Sequence, residues 1–83
     1  MIGGHYSRYF NQGAAVLYGD PRDCYHAADC ATPEDAARAA ELLNKAQHLN
    51  DTRRRYTAAA RTIATAEALP GFAWRNVGGE VAP

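Results

Sequence analysis

The sequence is poor in large apolar side chains and contains no long apolar run. Leu, Ile, Val and Phe together supply 12 of its 83 residues, whereas alanine alone supplies 18. The longest uninterrupted apolar stretch is residues 14–18, and a membrane-spanning helix needs about 20 apolar residues. A secretion signal needs an apolar region of about 7–15 residues. We therefore expect a cytoplasmic protein with no membrane partner, and a core built by close helix packing.

Neither sign of charge is in excess. The chain has 9 Lys and Arg residues and 9 Asp and Glu residues, so its formal net charge is zero. This balance argues against a protein that clamps nucleic acid, or imitates it, through bulk charge. The sequence also lacks the glycine-rich loops that bind nucleotides, and we expect no cofactor. Since it has no nucleophile elbow either, we predict that this small protein is not an enzyme.

Metal-ligating residue types cluster in one segment, but their spacing does not suit a metal. The segment contains Cys24, His26, Asp29 and Cys30, and we expect it to form a strand. At roughly 3.3 Å per residue the two cysteines would stand about 20 Å apart, too far for one metal ion or a disulfide. We predict no metal site, free thiols and a strand histidine. A nucleophilic pair of Cys24 and His26 on one strand face is the alternative, although no motif supplies an oxyanion hole.

The first third of the chain has a β pattern. Residues 6–18 hold Tyr, Phe, Val and Leu in partial alternation, with a turn or bulge at residues 11–13. Residues 19–23 predict a tight turn because they combine Gly, Asp and Pro. Residues 24–29 then return as the partner strand. We predict a long antiparallel hairpin, and the alternative is a three-stranded meander in which residues 6–10 form a separate strand.

A helix start follows the β region. Thr32 is a capping residue, Pro33 suits the first helical position, and Glu34 and Asp35 place carboxylates in the first turn. One face of this helix is apolar and smooth, so that a sheet or a second helix can approach closely. The residues of this alanine stripe are Ala36, Ala39, Ala40, Leu43 and Ala46.

The helical pattern continues to about Leu69, but its apolar stripe changes direction. Leu49, Tyr56, Ala60 and Ile63 align with one another, offset by roughly 100° from the alanine stripe. We therefore predict a break near residues 48–51 and two packed helices. One long helix over residues 33–69, dimerising through its second half, is the alternative, since no Gly or Pro marks the break.

The end of the helical region is marked by Pro70 and Gly71. We expect residues 72–74 to fold back as a hydrophobic anchor. The predicted fold class is α+β: a hairpin of two or three strands followed by two packed helices. We predict a single domain over residues 1–76 and a flexible tail over residues 77–83.

Arginine is concentrated in the second predicted helix. Arg53 and Arg54 belong to a run of three arginines, and Arg61 shares a helix face with Arg54. We predict that these residues contact a partner, either an acidic protein surface or nucleic-acid phosphates. A solvated face with snorkelling side chains is the alternative.

Tyrosine is concentrated in the predicted hairpin. Strand residues alternate between two faces, so the tyrosines of this region cannot all belong to the core. We predict that Tyr6, Tyr9 and Tyr25 contribute to a partner-binding surface, because exposed Tyr beside Arg is typical of interfaces. Cross-strand packing on the open face of the sheet is the alternative.

The segment AAVLYGDPRDCYHAADCATPEDAARAAELLN, residues 14–44, resembles a pattern in small phage and prophage proteins. In that pattern a strand–turn–strand leads into a capped T-P-E-D-A helix that ends in Leu-Leu-Asn. Such accessory proteins include anti-CRISPR and other anti-defence factors. The resemblance implies a phage-encoded, stoichiometric binder that has no cofactor and acts in the cytoplasm of the host cell.

The predicted function is that of a small non-enzymatic inhibitor that binds a host defence complex. Two alternatives remain. The first is a weak nucleic-acid-binding accessory protein that uses the arginines. The second is a structural module that forms a homodimer through the alanine stripe or through Tyr56 and Ile63.

Overall fold

The computed structural model describes residues 7–51 and 56–75 of the chain. Within these residues, four strands form one antiparallel sheet in which they lie in chain order; the first helix packs against the sheet, and the second helix packs on the first. The predicted α+β class is confirmed. The elements are β1 (Arg8–Gln12), β2 (Ala15–Asp20), β3 (Asp23–Asp29), α1 (Pro33–Asp51), α2 (Tyr56–Glu67) and β4 (Ala73–Trp74).

Residues 8–29 form a three-stranded meander, which was the alternative to the long hairpin, but its first strand ends at Gln12 and not at Phe10. The first turn lies at Gly13 and Ala14, because Gln12 pairs with Ala15 across it. Gly13 has a φ of 62°, which glycine adopts without steric cost. The second turn follows the prediction, and there the N–H of Arg22 donates to Asp20 Oδ1 at 2.9 Å.

A β-bulge at Ala27 determines which residues of β3 share a face. Val16 pairs with Ala28 and Leu17 pairs with His26, so Ala27 is left between two paired positions. The extra residue reverses the alternation along β3. As a result Tyr25 and Ala28, three residues apart, lie on the same side of the sheet.

The helix start and the alanine stripe of α1 match the prediction. Thr32 accepts a hydrogen bond from the N–H of Asp35 at 3.1 Å, and its hydroxyl donates to the Asp35 carboxylate. Every residue of the stripe is buried. The stripe packs with Val16 and Ala28 of the sheet and with Ala66 of α2, so it lies in the chain's own core and is not a dimer seam. The side facing the helices is called the helix side of the sheet, and the opposite side the outer side.

The described residues form two separate helices, so the alternative of one long helix is wrong. α1 ends at Asp51, α2 begins at Tyr56, and the two pack on each other. The stripe predicted for α2 is wrong in one respect, since Ala60 is exposed and Ala59 is buried. A helical phase counted from Leu49 cannot be carried across the break. Ile63 packs against the core, so this part of the proposed dimer seam is also used inside the chain.

The segment after α2 folds back as predicted, but it also forms a strand. Phe72 packs against the core, and Trp74 pairs with Ala28 of β3. Gly71 has a φ of 71° in the preceding turn, where Pro70 C=O accepts a hydrogen bond from Ala31 N–H. Among the described residues, no helix combines the length and the apolar composition needed to cross a membrane. The tail predicted at residues 77–83 lies outside the described residues.

Candidate functional site

Three tyrosines form a continuous row across the helix side of the sheet. In this tyrosine row, Tyr9, Tyr18 and Tyr25 are register partners on β1, β2 and β3. The ring centroids of Tyr9 and Tyr18 lie 4.6 Å apart, and those of Tyr18 and Tyr25 lie 5.7 Å apart. These tilted contacts suit the quadrupoles of aromatic rings. The row is therefore an ordered surface.

Burial decreases along the tyrosine row from one edge of the sheet towards the other. Tyr9 is half-buried against the core, whereas the exposed fraction of Tyr25 is 49%. Burial raises the pKa of Tyr9, and the nearby phenols of Tyr25 and Tyr18 raise it further. Tyr25 is therefore the most exposed member of the row, which solvent or a partner can reach.

Trp74 is the second exposed aromatic side chain on the helix side. It lies in the register row of Val16 and Ala28, and its exposed fraction is 46%. Its indole N–H donates to the carboxylate of Glu67 at 2.6 Å, and its ring meets Phe72 edge-on at 5.1 Å. The indole is thus held in one orientation although almost half of it contacts solvent.

A side chain from α1 caps the free edge of β1 at Tyr9. The N–H of Tyr9 donates to Asn44 Oδ1 at 2.7 Å, and Asn44 Nδ2 donates to the C=O of Tyr9 at 2.8 Å. The amide of Asn44 therefore bonds β1 as a neighbouring strand would. Beside it, β1 and α1 enclose an open groove of about 510 Å³, whose charged side chains are of both signs: Arg8, Arg38, Glu34 and Glu41.

The opposite edge of the sheet is covered over a much shorter length. β4 pairs with Ala28 and Asp29 of β3, and the N–H of Arg75 donates to the C=O of Ala27. None of the described residues pairs with residues 23–26 along the edge of β3 that points away from β2. This stretch is called the open edge.

A hydrogen-bonded cluster on the outer side ties β3 to β4. Asp29 Oδ1 lies 2.7 Å from His26 Nε2, and Asp29 Oδ2 accepts from Arg75 Nη1 at 3.3 Å. His26 Nε2 also approaches the C=O of Ala28 at 3.1 Å, and since both neighbours are acceptors it carries the proton. Desolvation acts to raise the pKa of Asp29, but His26 and Arg75 outweigh it, and the pKa is lowered.

The two cysteines are free thiols in different environments. Cys24 is exposed, and Cys30 is buried in the core. Burial raises the pKa of Cys30, and the carboxylates of Asp35 and Asp29 add to the rise. No hydrogen bond joins Cys24 to His26. Within residues 7–51 and 56–75, no three His, Cys, Asp or Glu side chains come close enough together to hold a metal ion.

Half of the predicted partner-binding residues lie in the described parts of the chain. Tyr9 and Tyr25 belong to the tyrosine row, and Arg61 is an exposed residue of α2. Tyr6, Arg53 and Arg54 lie outside the described residues. Sequence reasoning missed Trp74, which it treated as part of an anchor, and Asn44, which no motif distinguishes from other polar residues of a helix.

Comparisons with models of protein families, with curated proteins and with solved structures found no match to this chain.

Proposed function

We propose that this protein is a non-enzymatic inhibitor that binds one partner protein stoichiometrically. One observation carries the proposal: Tyr25 and Trp74, which are 49% and 46% exposed, are held on the same side of the sheet. Tyr and Trp are enriched among the residues that dominate binding energy at interfaces.

Order in the free protein supports a role in binding. Tyr25 packs on Tyr18, and Trp74 is fixed by Glu67 and Phe72. Side chains that are already ordered lose little conformational entropy on association. Exposed but fixed aromatic rings are therefore suited to an interface.

The identity of the partner is proposed from the resemblance described above. It suggests a phage-encoded protein that blocks a host defence complex, as anti-CRISPR proteins do. Blocking by occupation needs one well-ordered surface and no reacting groups, and the aromatic residues of the helix side can supply such a surface.

The experiment compares two surfaces of the same molecule. Wild-type protein is immobilised to capture its partner from a bacterial lysate, and the purified partner is then titrated by calorimetry. We expect one partner per chain and a Kd about 30-fold weaker for Tyr25→Ala, since truncating a central interface residue costs about 2 kcal/mol. Lys45→Ala, on the exposed face of α1, is the matched control and should bind like wild type.

Three results would contradict the proposal. Unchanged affinity in a Tyr25→Ala/Trp74→Ala double variant would exclude the aromatic surface. Loss of binding in Arg54→Glu/Arg61→Glu, with the aromatic variants unaffected, would assign the interface to these arginines instead. Steeply salt-dependent binding of DNA or RNA, with no protein captured, would favour the nucleic-acid alternative.

A further inference from the structure

We infer that the open edge of β3 is a strand-addition site, at which an extended segment of a partner protein pairs with residues 23–26. The inference rests on the proposed protein-binding function and specifies how the partner is held. Edge strands of natural proteins are generally capped, shortened or covered, because an unpaired edge attracts other strands. Here Asn44 caps the edge of β1 at Tyr9, whereas none of the described residues covers residues 23–26 of β3.

The direction of the backbone groups on β3 follows from the cap on β1. Asn44 accepts a hydrogen bond from the N–H of Tyr9 and donates one to its C=O, so these two backbone groups point away from β2. Backbone groups alternate in direction along antiparallel strands. The backbone N–H and C=O of Tyr18, the partner of Tyr9, therefore point to β3. Those of Tyr25 point back to β2. It follows that the N–H and C=O of Cys24 point outward, into the open edge.

The side chains beside the open edge define an apolar position. Tyr25 projects to the helix side next to the outward-facing groups of Cys24, and Trp74 is exposed on that side one strand further out. Paired strands place side chains at the same level about 5 Å apart. A residue of the incoming segment opposite Tyr25 would thus pack on an exposed aromatic ring.

A basic position lies two residues away. Asp20 and Asp23 are register partners at the end of the β2–β3 pair, which places two carboxylates opposite each other. Like charges in this arrangement are destabilising. Asp20 accepts the N–H of Arg22, but none of the described side chains forms a salt bridge with either carboxylate. A Lys or Arg in the segment opposite Asp23 would relieve this repulsion.

The expected occupant is therefore an extended segment with an apolar and a basic residue two positions apart. A second copy of this chain fits less well, because its β3 has the sequence DCYHAAD and contains no Lys or Arg. Pairing two copies of β3 would bring further carboxylates to the open edge instead of the cation that it lacks.

The test uses random eight-residue peptides displayed on phage, selected on the full-length protein. We expect enriched peptides with the pattern apolar residue, any residue, basic residue. Synthetic copies should bind at least about tenfold more weakly when alternate backbone amides are methylated, since each methyl group removes a hydrogen-bond donor. In Cys24→Pro the outward N–H is lost, as an edge strand tolerates, and binding should fall similarly. Cys24→Ser, which keeps the N–H, is the matched control.

The outcomes separate the mode of binding from binding itself. No enrichment, or peptides that bind equally well after N-methylation, overturns strand addition. If Cys24→Pro binds the captured partner protein as wild type does while Tyr25→Ala does not, the proposed function stands and strand addition fails. If peptides bind only to a chain that ends at Arg75, the open edge belongs to residues 76–83. If Cys24→Pro abolishes dimerisation, the open edge belongs to a second copy. Either result also overturns the proposal.

Discussion

The two edges of the sheet are treated differently. On β1, the amide of Asn44 satisfies both outward backbone groups of Tyr9, and α1 runs alongside. On β3, the two-residue strand β4 covers Ala28 and Asp29 and leaves the open edge beside exposed Tyr25. The difference shows that the fold can cap an edge with one well-placed side chain. The backbone groups of the open edge are therefore the ones that the described residues leave available to a partner strand.

The largest expected effect comes from opening the capped edge. Asn44→Leu leaves the half-buried N–H and C=O of Tyr9 without partners, which should lower the free energy of unfolding by about 2 kcal/mol. The variant should also associate at high concentration through β1, since an unpaired edge is a template for strand pairing. Urea unfolding measures the first effect, and analytical ultracentrifugation measures the second.

Gln47→Leu is the control for this substitution. Gln47 lies one turn further along α1, and its amide donates to the C=O of Ser7 at 3.5 Å in an exposed position. We expect a loss below about 0.5 kcal/mol, as for most surface substitutions. If Asn44→Leu is as stable as Gln47→Leu and stays monomeric, the cap has no energetic role and the contrast between the edges loses its basis.

A smaller effect is expected from lengthening the uncapped edge. A Cβ at Gly71, where φ is 71°, would lie 2.6 Å from the backbone N of Ala31. Gly71→Ala should therefore detach β4 to relieve the clash, at a cost between about 1 and 2 kcal/mol. Detachment would show as faster amide exchange of Arg75, whose N–H donates to Ala27.

Gly13→Ala is the matched control for backbone strain. Gly13 has a similar φ of 62°, but an added Cβ would meet no atom within 4 Å. We expect a loss of about 1 kcal/mol, from the left-handed conformation alone, with unchanged exchange at Arg75. Equal losses in the two variants would show that the contact of Gly71 with Ala31 does not hold β4.

Local signals made the helices predictable from the sequence. Thr32 and Pro33 mark the start of α1 through chemistry that involves a few neighbouring residues, and the alanine stripe follows from helical periodicity. The stripe of α2 was misplaced because a helical phase counted from Leu49 in α1 does not apply to α2, which is a separate helix. The three-stranded meander was left as an alternative, since nothing local decides whether residues 11–13 form a turn or a bulge.

The candidate site depends on contacts that a sequence does not display. The bulge at Ala27 places Tyr25 on the side of Ala28, and strict alternation would have placed these two on opposite faces. Asn44 and Tyr9 are 35 residues apart, and only the packing of α1 on β1 brings them together. Tyr25 was predicted from composition, but the position of Trp74 on the same side of the sheet follows from the pairing of β4 with β3.

The smallest expected effect concerns the ion pairs that hold β4 at the partly open side. Because the folded protein lowers the pKa of Asp29 through His26 and Arg75, this carboxylate contributes stability above its ordinary pKa of 3.8, and the contribution is lost as pH falls through the folded value. Asp29→Asn should therefore lose less stability than wild type between pH 5 and pH 2, as measured by urea midpoints (a range chosen about the ordinary pKa). The loss of stability of Arg75→Met should lie between those of wild type and Asp29→Asn, since His26 still contacts Asp29. Asp29 and Arg75 are both well exposed, so added salt should bring the three curves together. Superimposable curves at low salt would show that only backbone pairing holds β4 on β3. The ion pairs would then add no protection to this edge.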